Sequence, residues 1–161
     1  LLIGCGSFFG LRISDLLTLT WSMLLDNEKF VVTEQKTGKR REIRVNCNFQ
    51  KHIADCYKAL GIVDINEKCF LSRKKTVYST QRINVLFKSM KLKYNLKIEH
   101  FSTHSMRKTF GRQVVEAAGE NSEFALIKLS ELFNHADIQT TRRYLGLRSQ
   151  ELLETYDMLS F

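Results

Sequence analysis

Apolar residues recur at helical spacing along most of this chain, and this periodicity constrains its fold more than any other feature of the sequence. Intervals of three and four residues separate many of the apolar positions over residues 49–60, 79–92 and 123–133. A repeat of about 3.6 residues places such positions on one face of a helix, so each segment is predicted to be an amphipathic helix. A mainly α-helical fold follows.

One segment breaks the helical pattern and predicts a β-hairpin. Residues 29–33 (K-F-V-V-T) and 41–46 (R-E-I-R-V-N) have strand character, and Thr37-Gly38 between them supplies turn chemistry. The predicted turn carries four basic residues: Lys36, Lys39, Arg40 and Arg41. The sequence therefore predicts an α+β fold that is mainly helical, with one small antiparallel sheet.

Polar capping residues predict where the other helices begin, because their side chains accept hydrogen bonds from the first free N–H groups of a helix. One further helix is predicted to start at Ser14 or Asp15 and to end before Trp21, a second to run from Ser102 or Thr103 to Ala118, and a third to start at Asp137. Residues 1–9 are also predicted to be helical, and residues 149–159 to form an amphipathic segment. The chain has no proline and no linker-like stretch, so residues 1–161 are predicted to form one domain.

The composition excludes several classes of protein. With 161 residues, 43% of them hydrophobic and 26% charged, the chain can bury a core and is not a disordered tail. No apolar run approaches the roughly 18 residues of a membrane span. The four cysteines lack metal-site spacing, so they are predicted to be small buried residues of a protein in a reducing compartment, the cytoplasm. We expect neither a metal nor a cofactor.

The start of the chain predicts that it is a fragment of a longer protein. No methionine comes first, and residues 1–9 look like the end of an apolar helix. They have no basic flank and no cleavage-like site, so they do not resemble a signal peptide.

A net charge of +8 favours a polyanionic partner. Each phosphate that a Lys or Arg neutralises releases condensed counterions, which makes nucleic acid the natural partner of a strongly basic domain. Charge alone is not specific, and a basic surface without such a partner is the alternative.

Two arginines are candidates for binding a phosphate group. Arg12 stands in G-L-R-I-S-D-L and Arg107 in H-S-M-R-K-T-F. A guanidinium offers planar, paired donors that match phosphate oxygens, and losing one such donor slows a reaction roughly 10²- to 10³-fold. Alone, either residue could be a surface cation. Asp15, three residues after Arg12, is predicted to be a structural ion-pair partner and not a catalyst.

A tyrosine and three proton-handling side chains complete a set that could attack a phosphodiester without a metal. Tyr144 would be the nucleophile, and a phenol, whose ordinary pKa is about 10, needs a base or nearby positive charge. His104 is the candidate base, Lys36 the candidate acid for the departing 5′-oxygen, and His135 a hydrogen-bond donor to the phosphate. Each residue alone has an ordinary structural explanation, and only their order and spacing together favour the chemistry.

These motifs, in this order, resemble the catalytic domain of the tyrosine recombinase (phage integrase) family. The similarity rests on G-L-R-I-S-D-L, Q-K-T-G-K, H-S-M-R-K-T-F and N-H-A-D-I-Q-T-T-R-R-Y, and it extends over nearly the whole chain. The resemblance implies the fold of that domain. The positions that match the family's catalytic set are Arg12, Lys36, His104, Arg107, His135 and Tyr144.

The resemblance also implies roles and partners. The two arginines would bind the scissile phosphate, Lys36 would be the general acid, and His104 the proton acceptor. His135 would occupy the position held by histidine or tryptophan, and Tyr144 would form a 3′-phosphotyrosyl bond. The family exchanges strands of double-stranded DNA through a Holliday junction within a homotetramer, without a nucleotide cofactor and in some cases with accessory DNA-bending proteins. Its members usually carry a helical core-binding domain before this one, and that domain is expected to be absent here.

This chain departs from the family pattern at a few positions. Asn134 precedes His135 where glycine is usual, and Met106 and Lys108 flank Arg107 where other residues are commoner. None of these changes removes a reacting group, so we expect competent chemistry. Six further basic residues are predicted to contact the DNA: Lys39, Arg40, Arg41, Lys108, Arg142 and Arg143. For each of them, a solvated surface charge is the alternative.

Several functions are compatible with such a domain. The leading hypothesis is a site-specific recombinase that integrates or excises a phage or conjugative element, in the cytoplasm and associated with the bacterial nucleoid. An Xer-type dimer resolvase would share all six catalytic residues. A related topoisomerase and a DNA-binding remnant without catalysis are the remaining alternatives.

Overall fold

The computed structural model describes residues 1–25, 27–147, 153–154 and 156–157. The chain divides into two compact units, unit 1 from Leu1 to Arg107 and unit 2 from Lys108 to Phe161. Helices dominate both, and the sheet that the described residues form has two strands. The predicted mainly helical α+β fold with a small antiparallel sheet is confirmed.

Unit 1 begins with three helices. They are α1 (Leu2–Phe9), α2 (Ile13–Leu16) and α3 (Trp21–Leu24). The first confirms the helix predicted for the start of the chain. It ends at Gly10, whose φ of 58° lies in the left-handed region that glycine adopts without steric cost. The chain can therefore turn sharply between α1 and α2.

The second helix is shorter than predicted and starts earlier. Its N-cap is Arg12, not Ser14 or Asp15. It ends before Leu19, whose carbonyl oxygen accepts a hydrogen bond of 2.9 Å from the backbone N–H of the distant Cys69. This long-range backbone pairing needs an extended conformation, which stops the helix and cannot be seen in the local sequence.

The hairpin confirms its prediction. Strand β1 (Lys29–Thr33) pairs in antiparallel register with strand β2 (Arg40–Arg44). Phe30 lies opposite Ile43, and both side chains are buried, as is that of Val32. One face of the hairpin therefore packs on the core, as alternating side chains of a half-buried strand require.

Three longer helices confirm the corresponding predictions. They are α4 (Cys47–Leu60), α5 (Thr80–Lys93) and α6 (Thr103–Ala118), of which only the start of α6 belongs to unit 1. Polar caps fix two of the starts. The side chain of Asn46 accepts the N–H of the residue three positions later at 2.8 Å, and that of Ser79 does the same at 3.2 Å. Because Asn46 caps α4, the second strand ends earlier than predicted.

The core of unit 1 joins the hairpin to the helices. Its largest fully buried side chains include Phe9, Leu11, Leu16, Trp21, Ile53 and Ile83. At Gly6, an added Cβ would lie 2.7 Å from the Cβ of Met106. Helix α1 and the first turn of α6 therefore approach each other closely, which brings the residue after Met106 near the end of α1.

Unit 2 contains the rest of α6 and two further helices. A short 3-10 turn (Gly119–Asn121) leads into α7 (Ser122–Phe133), and α8 (Ile138–Leu145) follows. Both helices confirm their predictions. Leu126, Leu129, Phe133 and Leu145 form the small core of this unit. The predicted amphipathic segment at 149–159 lies largely outside the described residues.

The cysteine prediction is only partly right. Cys5 is buried, and burial raises the pKa of its thiol to about 12. Cys56 and Cys69 are partly buried, whereas Cys47 is exposed at the start of α4. Within the described part of the chain, no helix is both long and apolar enough to cross a bilayer.

Candidate active site

Arg12 is fixed at the start of α2 by an ion pair. It is the N-cap of that helix, with extended backbone angles, and its Nη1 donates a hydrogen bond of 2.8 Å to Oε2 of Glu34. The carboxylate of Glu34 is only 4% exposed, whereas 21% of the Arg12 side chain remains exposed. One nitrogen of this guanidinium is thus anchored in the fold while part of the side chain reaches the surface.

Arg107 lies in the same part of unit 1. It is 4% exposed, and its Nη1 donates a hydrogen bond to the carbonyl oxygen of Gly10, the residue that ends α1. A helix leaves its last carbonyls without internal partners, so a guanidinium is a favourable neighbour there. Arg107 also lies close enough to Glu34 for its charge to lower the pKa of that carboxyl group. The carbonyl oxygen of Gly10 also faces Nη1 of Arg41, which lies 3.9 Å from Oε1 of Glu34. The fold therefore places Arg107 beside the ion pairs that Arg12 and Arg41 make with Glu34, although these residues are far apart in sequence.

Glu34 is a site residue that the sequence reasoning missed. It follows β1, and it continues the inward alternation that buries Phe30 and Val32. Oε2 of Glu34 accepts hydrogen bonds of 2.8 Å from Arg12 Nη1 and from Thr37 Oγ1. The period of two along the strand could have found it, because a carboxylate on the inward face needs a cationic partner.

The pKa of the Glu34 carboxyl group is lowered. Burial alone would raise it, but hydrogen bonds from Thr37 and Arg12 and the charges of Arg12 and Arg107 together outweigh that effect. A carboxyl group with a lowered pKa stabilises the fold at a pH above its ordinary value of 4.5, and this contribution is lost as the pH falls through the lowered pKa.

We therefore expect the Glu34→Gln variant to be less stable than the wild type at neutral pH and to approach it as the pH falls from 4.5 through the lowered pKa of Glu34, where the folded wild type loses its carboxylate. Urea unfolding at a series of pH values measures this. Glu42→Gln is the matched control, because Glu42 lies on the same hairpin and makes an exposed ion pair with Lys29. A stability difference between wild type and Glu34→Gln that did not change with pH would contradict the assignment.

Lys36 is exposed in the turn of the hairpin, two residues after Glu34. The turn is closed by the N–H of Gly38, which donates to the carbonyl oxygen of Glu34 at 2.8 Å. Gly38 has φ of 68°, so it takes the left-handed conformation that this turn needs. The hydrogen bond from Thr37 to Glu34 ties the same turn to the residue that anchors Arg12.

Arg41 is held by the fold, although it was predicted to contact DNA. Its Nη2 donates to the carbonyl oxygen of Phe9 at 2.7 Å, and its Nη1 lies 3.9 Å from Oε1 of Glu34. Only 14% of the side chain is exposed, because Arg41 stands opposite Val32 on the inward face of the hairpin. These contacts support a structural role. Lys39 and Arg40 are exposed, and their contact with DNA stays a prediction.

His104 lies on the exposed side of the first turn of α6. The start of that helix is anchored by Asn84 of α5, whose Oδ1 accepts the N–H of Thr103 at 3.0 Å. The first turn of α6 therefore carries the exposed imidazole of His104 and, three residues later, the buried guanidinium of Arg107.

Tyr144 is half-buried near the end of α8 in unit 2. Asp137 starts that helix as predicted, since its Oδ1 accepts the N–H of Thr140 at 2.6 Å. The Tyr144 ring packs edge to face against His135 and Phe133, with centroid distances of 5.3 and 5.7 Å. The tyrosine is therefore held by both aromatic contacts and helix geometry.

His135 follows a left-handed residue that ends α7. Asn134 has φ of 55°, and the N–H of His135 donates to the carbonyl oxygen of Ser130 at 3.0 Å, which is the pattern of a helix C-terminus. Because asparagine and glycine both adopt this conformation, Asn134 can take the place of the glycine that the resemblance implies here. Nδ1 of His135 lies 2.9 Å from the hydroxyl oxygen of the buried Thr141, which orients the ring.

The remaining basic candidates lie in unit 2. Arg142 forms an ion pair with Glu123 of α7, and 20% of its side chain is exposed. Arg143 is exposed. The Nζ of the exposed Lys108 lies 5.5 Å from the centre of the Tyr144 ring, a cation–π distance. Contact of these three residues with DNA stays a prediction.

The six catalytic candidates thus divide between the two units. In unit 1, Arg12 pairs with Glu34 and Arg107 lies close to it, while Lys36 and His104 are exposed on a turn and on the first turn of a helix. In unit 2, His135 and Tyr144 pack ring to ring. Among the described residues, no three His, Cys, Asp or Glu side chains come together as a metal site. Chemically, unit 1 offers an anion the partly exposed guanidinium of Arg12, with the buried Arg107 in the same group of charges, and unit 2 offers a phenol packed beside an imidazole.

Comparison with known proteins finds similarity along most of the chain. The sequence model of the Phage integrase family matches residues 8–151. Tyrosine recombinase XerC of Brucella melitensis biotype 1 is 30% identical over 159 residues, which cover 98% of this chain and 47% of the relative. This chain spans about half the length of the curated relatives it matches.

Two solved structures show the same fold. The XerA recombinase superposes with a TM-score of 0.70 at 19% identity, and the match covers 98% of this chain and 57% of the XerA chain. The XerH site-specific recombinase, bound to a palindromic difH substrate in a post-cleavage complex, superposes with a TM-score of 0.67 at 19% identity. The match covers 98% of this chain and 44% of the XerH chain.

Proposed function

This chain belongs to the phage integrase family of tyrosine recombinases, and we propose that it is the C-terminal catalytic domain of a site-specific DNA recombinase. The observation that carries the proposal is the grouping of Arg12 and Arg107 within unit 1, where Arg12 pairs with the buried Glu34 and Arg107 shares the carbonyl oxygen of Gly10 with Arg41, the second cation beside Glu34. Two guanidiniums held in one place are what a phosphate needs in order to be bound and its charge neutralised.

In the proposed reaction, the oxygen of Tyr144 attacks the phosphorus of one DNA strand. A bond forms between that oxygen and phosphorus, and the bond from phosphorus to the 5′-oxygen breaks. His104 accepts the phenolic proton, and Lys36 gives a proton to the departing 5′-oxygen. The product is a 3′-phosphotyrosyl bond and a free 5′-hydroxyl group.

The remaining candidates act on charge. Arg12 and Arg107 would stabilise the charge that develops on the non-bridging oxygens, and positioned donors act most strongly on charge of this kind. His135 would donate a hydrogen bond to the same phosphate. Attack of a second 5′-hydroxyl group on the phosphotyrosyl bond reverses the step, and the bond energy is conserved, so no nucleotide cofactor is required.

We propose double-stranded DNA as the partner. Support comes from the net charge of +8 and from the exposed basic residues Lys39, Arg40, Lys108 and Arg143. The structurally similar XerH is bound to its palindromic difH substrate, and the Tn1549 transposon integrase, which has a similar fold, is in complex with transposon right end DNA. The full-length protein would act on DNA as a homotetramer, in some systems with accessory DNA-bending proteins, at the nucleoid in the bacterial cytoplasm.

Two biological roles fit this chemistry. Integration and excision of a phage or conjugative element is the role proposed from the sequence. Resolution of chromosome dimers is the second candidate, and the XerC and XerD names of the relatives favour it. Both roles use the same six residues, so the difference lies in the DNA sites and in the rest of the full-length protein.

Strand cleavage and transfer test the proposed class. The chain is incubated with a pool of nicked duplexes of varied sequence, in which the short strand beyond the nick diffuses away after cleavage and leaves the covalent intermediate trapped. A longer strand with a 5′-hydroxyl end is then added. We expect an SDS-resistant protein–DNA band that forms first and then yields a joined strand of new length.

The possible results separate the alternatives. Joining of strands from two different duplexes supports a recombinase, whereas rejoining only within one duplex, with relaxation of a supercoiled plasmid, would indicate the related topoisomerase. Clear DNA binding without any covalent band would contradict catalysis and indicate a DNA-binding remnant.

A further inference from the structure

We propose that Glu34 is a positioning residue of this active site, which fixes the Arg12 guanidinium and, through Thr37, ties it to the turn that carries Lys36. The inference rests on the proposed function, since it concerns the same reaction. Glu34 itself touches no DNA in this mechanism and acts only through Arg12 and the turn.

The contacts of the Glu34 carboxylate support this role. Oε2 accepts hydrogen bonds of 2.8 Å from both Arg12 Nη1 and Thr37 Oγ1. The same oxygen thus joins a residue at the start of α2 to a residue of the hairpin turn. Oε1 lies 3.9 Å from Nη1 of Arg41, so the second oxygen faces another guanidinium.

Burial makes these contacts difficult to replace. Glu34 is 4% exposed, and the charges that face it are those of Arg12 and Arg41, with Arg107 close enough to lower its pKa. Without the carboxylate, Arg12 and Arg41 would lose the counter-ion that they share, and mutual repulsion would move the more exposed of the two. Arg12, at 21% exposure, has the most freedom to move.

Anchoring of one nitrogen has a direct consequence for catalysis. An unanchored arginine side chain samples many rotamers, and ordering it on the phosphate would cost conformational entropy during the reaction. The ion pair with Glu34 orders the side chain before DNA binds. A displacement of about 1 Å of a positioning group can slow a reaction roughly 10²-fold, so this anchor is expected to affect the rate more than the affinity.

A positioning role for Glu34 competes with two simpler roles, and each of the three predicts a different result. If Glu34 only stabilised the hairpin, its loss would have the same effect whether or not Arg12 were present. If its negative charge instead weakened phosphate binding by Arg12, its removal would speed up cleavage. A double-mutant cycle distinguishes all three cases.

The experiment measures the single-turnover rate of covalent adduct formation at saturating nicked DNA, and separately the DNA affinity. Glu34→Gln, Arg12→Gln and the double variant are compared with the wild type, and Glu42→Gln on the same hairpin is the control. We expect Glu34→Gln to slow adduct formation roughly 10- to 100-fold with little change in affinity. When Arg12 is already replaced, the effect of Glu34→Gln should be much smaller, because only its link to the hairpin turn is then left to lose.

The Thr37 hydroxyl gives a second test that leaves the buried carboxylate in place. Thr37→Val removes the hydrogen bond to Glu34, and Thr37→Ser keeps it. We expect Thr37→Val to slow adduct formation and Thr37→Ser to restore most of the rate. If Glu34→Gln does not fold, the comparison of Thr37→Val with Thr37→Ser still tests the positioning role of Glu34.

The outcomes separate this inference from the proposed function. Absence of adduct with the wild-type chain bound to DNA would overturn both. A wild-type adduct together with an unchanged or faster rate in Glu34→Gln, or with the same loss in both Arg12 backgrounds, would overturn the positioning role alone. Equal rates for Thr37→Val and Thr37→Ser would also count against it.

Discussion

Replacing Tyr144 with phenylalanine is expected to abolish covalent attachment of this chain to DNA while leaving DNA binding intact. The variant lacks only the hydroxyl group, which is the proposed nucleophile. It keeps the ring that packs against His135 and Phe133 at centroid distances of 5.3 and 5.7 Å, so α8 and its core contacts should be preserved. The expected loss is complete, because no other group in the proposed mechanism can form the bond.

The measurement is an SDS gel of protein incubated with nicked duplex, beside a binding titration of the same samples. Tyr94→Phe is the matched control, because Tyr94 is 60% exposed at the end of α5 and has no proposed role. Adduct formation by Tyr144→Phe at the wild-type level would contradict the assignment of the nucleophile. Loss of both adduct and binding would indicate that the hydroxyl group supports the fold.

Replacing Arg12 with glutamine has the second-largest expected effect. Removal of a positioned cationic donor from the scissile phosphate should slow adduct formation roughly 10²- to 10³-fold at saturating DNA. The loss should appear in the rate and much less in the affinity, because the charge that Arg12 stabilises is greatest in the transition state. Glu34, buried beside Arg12, would also lose its closest cationic partner.

The control for this prediction is Arg44→Gln. Arg44 is exposed on β2 and has no proposed role, so the two variants lose the same charge from the same unit. If Arg12→Gln and Arg44→Gln caused similar small decreases in the rate of adduct formation, Arg12 would contribute only to the general basic surface. Thermal unfolding of both variants shows whether a slower rate reflects loss of the fold.

Much of the fold could be predicted because its signals are local. The hairpin is visible in residues 29–46, where strand-forming residues flank Thr37-Gly38, and the observed strands match it closely. The start of α8 at Asp137 is likewise local, since the capping side chain bonds an N–H only three residues away. In these cases the chain needs no distant partner to select the structure.

The errors arise where distant parts of the chain meet. Helix α2 stops early because the carbonyl of Leu19 accepts a hydrogen bond from Cys69, fifty residues further on. The local sequence also does not show that Arg41, whose contact with DNA stays a prediction, is directed inward by its pairing opposite Val32, towards Glu34 and the carbonyl oxygen of Phe9. The register of the hairpin decides which face the Arg41 side chain lies on, and a shift of one residue would have placed it on the outward face.

The candidate site also combines features that are visible in the sequence with features that depend on long-range contacts. The residue types and their order predict six catalytic residues, because the chemistry of a phosphodiester requires a clamp, a nucleophile and groups that carry protons, and the roles of these six residues stay predictions. Glu34 does not belong to that set of reacting groups, and in the sequence only the period of two along β1, which places it on the inward face, points to it. Its role follows from the approach of Arg12, Arg41 and Thr37 in three dimensions.

The most direct test of the central claim is to identify the amino acid that carries the DNA. The covalent complex is digested with protease and nuclease, and the peptide that retains a nucleotide is sequenced by mass spectrometry. The proposed mechanism predicts a 3′-linked nucleotide on the peptide that contains Tyr144, attached through the phenolic oxygen. Attachment to any other residue, or its absence from DNA-bound protein, would contradict that mechanism.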